Sequence, residues 1–105
     1  MAAGDAGSDP LVRQLREQIS DNDLALVQAI NRRIKLVAQM KKYKASRGYD
    51  FLDPDREEWM LRYLMRASSG PLTEEGLREL FAAVLALTKS EVEALESPAG
   101  DPAQT

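Results

Sequence analysis

The sequence contains neither cysteine nor histidine, and these two absences exclude several kinds of chemistry. Without cysteine there can be no disulfides, no thiolate metal ligands and no cysteine nucleophile. Without histidine there can be no serine–histidine triad and no histidine-bound zinc. We expect a protein that uses neither a metal nor a cofactor, and any catalysis must rely on side chains other than cysteine and histidine.

Long apolar runs and a strong charge imbalance are also missing. No segment approaches the roughly 20 apolar residues that a membrane span needs, and the first eight residues lack the basic and apolar regions of a signal peptide. The formal net charge is −3, which gives no reason to expect nucleic acid or an anionic membrane as a partner. The simplest expectation is a cytoplasmic protein.

What is present is a helical pattern throughout the chain. The 105 residues, of which 44% are hydrophobic and 30% charged, suit one globular domain. Apolar residues recur at steps of three or four in three segments, which proline and glycine separate, and no segment alternates as a strand would. We predict an all-α domain over residues 9–96, with one long helix and two shorter ones. Residues 1–8 and 97–105, rich in small residues and proline, are predicted to be flexible tails.

The first helix is predicted from about residue 10 to about residue 46. Ser8 or Asp9 can cap it, Pro10 suits its first turn, and no glycine occurs between Pro10 and Gly48. Such a helix would be about 50 Å long, whereas the radius of gyration of a compact domain of this size is only about 13 Å. Two shorter helices cannot cover this rod, and we therefore expect a homodimer. Its apolar seam, at coiled-coil-like spacing, consists of Leu15, Ile19, Asn22, Leu26, Ile30, Arg33, Val37, Met40 and Lys44.

The two shorter helices also have clear start signals. Asp53 can cap the second helix, with Pro54 in its first turn, and the segment from Ser68 to Pro71 ends it. Thr73 can cap the third helix. The positions predicted to face the core are Trp59, Met60, Tyr63 and Leu64 on the second helix, and Leu77, Leu80, Phe81, Val84, Thr88, Val92 and Leu95 on the third.

Two cations interrupt the apolar seam of the first helix. Arg33 and Lys44 are eleven residues apart, close to three turns, so they point the same way about 16 Å apart. Each could extend to solvent or pair with an acid such as Glu57. Because burying two like charges without partners is costly, their spacing favours a cavity that receives an anion. The basic run from Lys41 to Lys44 is otherwise interpreted as a solvated helix face with one inward lysine, Lys44.

Other polar residues have ordinary structural explanations when they are considered one at a time. Arg56 and Glu57 fit a normal first helical turn, where acids suit the positive end of the helix dipole. Thr88 can donate a hydrogen bond to its own backbone four residues earlier.

Taken together, charged and apolar residues from about Leu11 to Glu93 resemble the all-helical chorismate mutase family, in its short bacterial type. The resemblance implies an intertwined homodimer of three-helix chains, with two active sites shared between protomers. It also implies the Claisen rearrangement of chorismate to prephenate, on the route to phenylalanine and tyrosine. The residues that carry the resemblance are Leu15, Arg16, Ile19, Asp23, Leu26, Arg33, Lys44, Asp53, Pro54, Asp55, Arg56, Glu57, Leu80, Phe81 and Thr88.

The resemblance assigns the three cations of the first helix to the substrate. Arg16 from the partner chain would bind one carboxylate, Arg33 would bind the other, and Lys44 would donate to the ether oxygen. A guanidinium fork matches a carboxylate with two hydrogen bonds, whereas lysine is a point charge. A pericyclic rearrangement needs a reactive conformer and donors aimed at the developing charge, and it needs no base or nucleophile.

The remaining implied site residues lie on the two shorter helices. Glu57, with the backbone near Asp53, would hold the ring hydroxyl, Arg56 would support the carboxylate site, and Thr88 stands where the family usually has serine. The family usually has Gln or Glu four residues later, as a second donor to the ether oxygen. This chain has Val92 there, which donates nothing.

Several other functions are compatible with the same residues. A lyase that removes pyruvate from isochorismate, or a mutase that acts on an amino analogue of chorismate, would use the same cations. A non-catalytic helical dimer or regulatory module, docked on an earlier enzyme of the shikimate pathway, is favoured by Val92. The joint presence of four cations and one acid favours an enzyme, because a scaffold needs none of these charged residues inside. They are Arg16, Arg33, Lys44, Arg56 and Glu57.

Overall fold

The computed structural model describes residues 6–96, and all regular structure within these residues is helical. A short 3-10 helix at Ala6–Ser8 is followed by α1 (Pro10–Ser46), α2 (Pro54–Ala67) and α3 (Glu74–Glu96). The predicted all-α class, with one long and two shorter helices, is confirmed. The predicted flexible tails lie outside the described residues, apart from Ala6–Ser8. Within residues 6–96, no helix is both long and apolar enough to cross a membrane.

The start of α1 is fixed by a side-chain cap. Of the two candidates, Asp9 is the cap: its Oδ1 accepts hydrogen bonds from the backbone N–H groups of Leu11 at 2.9 Å and Val12 at 3.4 Å. Pro10 is the first helical residue, where its missing N–H leaves no donor unsatisfied. The helix therefore begins where the sequence predicted it.

The end of α1 is a glycine turn. Gly48 has φ of +74°, a left-handed conformation that glycine adopts without strain. The N–H of Gly48 donates to the carbonyl of Ala45 at 3.2 Å, and that of Tyr49 donates to the carbonyl of Lys44 at 2.8 Å. This pair of bonds is the Schellman arrangement, and it turns the chain back over the last turn of the helix.

The two shorter helices start at the predicted caps. Asp53 Oδ1 accepts from the N–H of Arg56 at 3.1 Å, and Pro54 opens α2. The Oγ1 of Thr73 accepts from the N–H of Gly76 at 3.0 Å in the first turn of α3. Each cap satisfies a donor that the helix itself leaves without a partner.

Contacts within the chain divide it into two units at the junction of Arg33 and Ile34, inside α1. In the first unit, residues 6–33 include no buried side chain. The large apolar side chains exposed in this unit are Leu11, Leu15, Ile19, Leu24, Leu26 and Val27. Its apolar seam thus faces solvent in the single chain.

The second unit has a small core on α3. Among its described residues, Leu77, Thr88 and Val92 are buried, and Val92 is only 1% exposed. The predicted inward face of α3 is correct at these three positions. Leu80 and Leu95, which were also predicted to face the core, are 46% and 65% exposed instead, and the 14 residues of α2 are fewer than the 23 residues of α3.

The inward face of α2 differs from the predicted one. Met60 and Leu64 are half-buried as expected, but Trp59 and Tyr63 are 44% and 54% exposed. Their rings stack on each other at the helix surface, with centroids 5.5 Å apart and planes 3° from parallel. The prediction that both rings belong to the core is therefore wrong for the single chain. The half-buried side of α2 also includes Leu61. The inward face of α2 is therefore rotated about the helix axis, away from Trp59.

Candidate active site

Lys44 points inward at the end of α1, as predicted. The Schellman turn returns the chain over this residue, and the Nζ of Lys44 donates to the carbonyl oxygen of Phe51 at 3.3 Å. The same Nζ lies 6.0 Å from the centroid of the Phe51 ring. Both side chains are half-buried. The Lys44 ammonium is therefore held by a neutral carbonyl and lies beside an aromatic ring.

A second lysine of the basic run also lies inward, and this corrects the prediction of a single one. Lys41 is half-buried, whereas Lys42 is exposed. The Nζ of Lys41 forms an ion pair with Glu96 Oε1 at 2.8 Å and lies 5.3 Å from the centroid of the Phe51 ring. Lys41 and Lys44 share one face because residues three apart on a helix are neighbours.

The first turn of α2 holds Asp53, Arg56 and Glu57 close together. One carboxylate oxygen of Asp53 accepts the Arg56 N–H, and the backbone carbonyl of Asp53 accepts the N–H groups of Arg56 at 3.1 Å and Glu57 at 3.2 Å. The guanidinium carbon of Arg56 lies 4.3 Å from the centroid of the Trp59 ring. This distance is within the range of a cation–π contact. Arg56 is thus held along the helix surface by an aromatic ring that the sequence analysis had assigned to the core.

Glu57 lines a cleft of about 210 Å³ between α2 and α3. Two other charged residues line it with Glu57, namely Glu58 from α2 and Arg78 from α3, and Phe81 and Leu85 form part of its apolar wall. Neither Glu58 nor Arg78 was predicted from the sequence as a site residue. The signal for Arg78 was its position, since it directly follows the buried Leu77 and precedes Phe81 by three residues, which places it beside the inward face of α3.

Thr88 and Val92 are buried one turn apart on α3. Thr88 is 3% exposed, and its Oγ1 donates to the carbonyl of Val84 at 2.7 Å, which confirms the backbone bond predicted for it. Val92 is the largest fully buried side chain among the described residues. The position where a second donor was expected from the family pattern is therefore part of the apolar core.

Arg16 and Arg33 lie on α1 within the first unit. Arg16 is exposed and Arg33 is half-buried. They are seventeen residues apart, so their backbones are separated by about 25 Å along the helix. A single copy of α1 therefore does not bring the two guanidinium groups to one small ligand. Within residues 6–96, no group of three or more acidic side chains could hold a metal ion.

Fold and site together define a class of protein: an all-helical domain with inward cations on a long first helix and acids at the start of the second. The family model for chorismate mutase type II matches residues 15–93. The chain belongs to the chorismate mutase type II family.

Two relatives agree with this assignment. The bifunctional chorismate mutase/prephenate dehydratase of Pseudomonas aeruginosa is 32% identical over 92 residues, which cover 83% of this chain and 24% of that protein. The chain thus spans about a quarter of the length of this curated relative. A solved structure of chorismate mutase (form II) from Thermus thermophilus matches with a TM-score of 0.72 and 27% identity, over 78% of this chain and 93% of that one.

Proposed function

We propose that this chain is a chorismate mutase, an isomerase that converts chorismate to prephenate in the cytoplasmic synthesis of phenylalanine and tyrosine. The observation that carries the proposal is the half-buried ammonium of Lys44, which donates to a neutral carbonyl at the end of α1. Both relatives are named for chorismate mutase. This favours the rearrangement over the isochorismate lyase, the amino-analogue mutase and the non-catalytic module.

The chemistry matches a site built from fixed charges. In a Claisen rearrangement one C–O bond breaks while one C–C bond forms, and no proton is removed. Negative charge grows on the ether oxygen as the C–O bond lengthens, and the Lys44 ammonium stabilises it. A donor held in place before the reaction is effective because it does not have to reorganise in the transition state. Since Val92 supplies no second donor, Lys44 performs this role alone.

The substrate carboxylates require cations from two copies of the chain. Arg33 binds one carboxylate, and Arg16 of the partner chain binds the other, because the two arginines of one helix are about 25 Å apart. The exposed apolar seam of residues 10–33 supports the same homodimer, since a helix that buries no side chain needs another surface to pack on. A complex with an earlier enzyme of the shikimate pathway stays a prediction.

The start of α2 and the middle of α3 complete the proposed site. Glu57 accepts a hydrogen bond from the ring hydroxyl, and the backbone near Asp53 contributes a second contact. Arg56 supports the carboxylate site. Thr88 occupies the place of the usual serine, next to the substrate.

The test is to incubate the purified protein with chorismate, follow the loss of its ultraviolet absorbance and identify the product. We expect prephenate. Replacing Lys44 by Ala should lower kcat by at least about 10²–10³-fold, because the developing oxyanion loses its donor. The matched control is Lys42→Ala, an exposed lysine on the same helix, which should keep wild-type turnover.

The proposal is wrong if chorismate is stable in the presence of folded protein. It is also wrong if isochorismate is cleaved to release pyruvate while chorismate is left unchanged. A Lys44→Ala variant with wild-type kcat would be compatible with a chorismate mutase, but it would show that Lys44 is not the donor to the ether oxygen.

A further inference from the structure

Phe51 belongs to the connection between α1 and α2, and no role was predicted for it from the sequence. Its carbonyl oxygen accepts the Nζ of Lys44 at 3.3 Å, and its ring centroid lies 6.0 Å from the same nitrogen. One residue therefore contacts the Lys44 ammonium twice, once through the backbone and once through the side chain.

These two contacts restrict a side chain that would otherwise be mobile. Lysine has four rotatable bonds and loses much rotamer freedom when its end is fixed. An aromatic face within about 6 Å attracts an ammonium and does not neutralise its charge. A carboxylate at the same place would cancel much of the field that a developing oxyanion needs. Phe51 thus fixes Lys44 and leaves its positive charge available.

The Phe51 ring is itself held from outside the connection. The Nζ of Lys41 lies 5.3 Å from the ring centroid, and its ammonium is paired with Glu96 at the end of α3. Because Lys41 is engaged by an acid, its charge is already balanced. Its contact with the ring therefore links the connection to α3.

We propose that Phe51 is a positioning residue for Lys44, and that its ring raises kcat by holding the ammonium where the substrate ether oxygen binds. This inference rests on the proposed function for the identity of the substrate. In this chain kcat depends strongly on the position of the Lys44 ammonium, because Val92 offers no second donor to the same oxygen.

The experiment compares Phe51→Leu, which removes the ring but keeps apolar volume, with Phe51→Tyr, which keeps the ring. We expect Phe51→Leu to lower kcat about tenfold with little change in KM, because the interaction matters mainly in the transition state. Phe51→Tyr should stay close to wild type. The matched control is Tyr49→Leu, an exposed aromatic residue of the same connection, which should keep the wild-type kcat.

A wild-type kcat for Phe51→Leu would overturn the proposal, and so would an equal loss of kcat in Phe51→Tyr, since that would indicate packing rather than the ring. An effect confined to KM would overturn it as well. Circular dichroism establishes that each variant is folded, and Phe51→Met replaces Phe51→Leu if the latter does not fold.

A second measurement does not depend on turnover. Reductive methylation followed by mass spectrometry gives the reactivity of each lysine, and Phe51→Leu should raise labelling of Lys44 several-fold while the exposed Lys35 and Lys89 stay unchanged. If wild-type protein leaves chorismate intact, the proposed function fails, and the labelling still decides whether Phe51 holds Lys44. Unchanged labelling of Lys44 would overturn the positioning role.

Discussion

Residues 10–33 and residues 34–96 both carry many large apolar side chains, yet only the second set buries any of them. On the first part of α1, Ile19 is 60% exposed and Leu26 is 55% exposed, whereas on α3 Leu77 and Val92 are only 6% and 1% exposed. The sequence periodicity is helical in both regions. Periodicity therefore predicts a helix in each case, but it does not say whether the apolar face is covered by the same chain or by a partner. The prediction that residues 10–33 pack on a partner chain can be tested directly.

The largest effect is expected from charges on the exposed seam. The double change Ile19→Glu with Leu26→Glu would cost a single chain little, because both positions face solvent. At a dimer interface it would bury unpaired charges and lower dimer stability by more than about 4 kcal/mol. We expect loss of the dimer mass in light scattering and loss of helicity in circular dichroism.

The control for this prediction is Ser20→Glu with Gln28→Glu, which adds the same charge to exposed positions of α1 outside the seam. It should keep the wild-type mass. A wild-type protein that is monomeric at micromolar concentration with full helicity would contradict the prediction, because the first region would then be stable without a partner.

An intermediate effect is expected at Val92, in the region that has its own core. Val92→Gln places a longer amide side chain in a fully buried apolar position, which should lower the free energy of unfolding by about 1–3 kcal/mol. If α3 presents this position to the ether oxygen, kcat per folded molecule should rise, up to about tenfold, because a second donor is restored. Urea denaturation and steady-state kinetics measure the two quantities.

Val92→Leu separates size from hydrogen bonding. It should also destabilise the core, but it should not raise kcat, because it carries no donor. A lower kcat in folded Val92→Gln would show that the ether oxygen does not lie near this turn of α3.

The smallest effect is expected at the start of α2. Asp53→Ala removes the side-chain bond to the Arg56 N–H and should lower the free energy of unfolding by about 1 kcal/mol. Thermal unfolding measures this change. Asp55→Ala, in the same first turn, removes an acid without a cap bond and should cost less, about 0.3–1 kcal/mol from the helix dipole. Equal losses in the two variants would indicate that the cap contributes nothing beyond charge.

The helix termini could be predicted from the sequence because local rules determine them. Asp9, Asp53 and Thr73 cap helices with their own side chains, and Gly48 supplies a left-handed turn, so each boundary depends on residues within one turn. The inward position of Lys44 could also be predicted, because it continues the seam of α1.

The contacts between elements could not be predicted in the same way. Lys41 lies inward because Glu96, fifty-five residues later, comes within reach of it, and no periodicity records such a pair. Trp59 and Tyr63 have the spacing of core residues, but the side of α2 that packs on α3 is decided by the position of both helices. The contacts of Phe51 with Lys41 and Lys44, and the place of Arg78 in the cleft, depend on neighbours from other elements for the same reason.

The glycine turn after α1 has a consequence for the order in which the protein folds. The contact between Lys44 and Phe51 joins residues only seven positions apart, and closing so short a loop takes well under a microsecond. The long-range pairs of the second unit and the assembly of the proposed homodimer would have far larger search costs, and assembly would also depend on concentration. The ammonium and its aromatic neighbour can therefore meet within a single chain, before the proposed two-chain site is built.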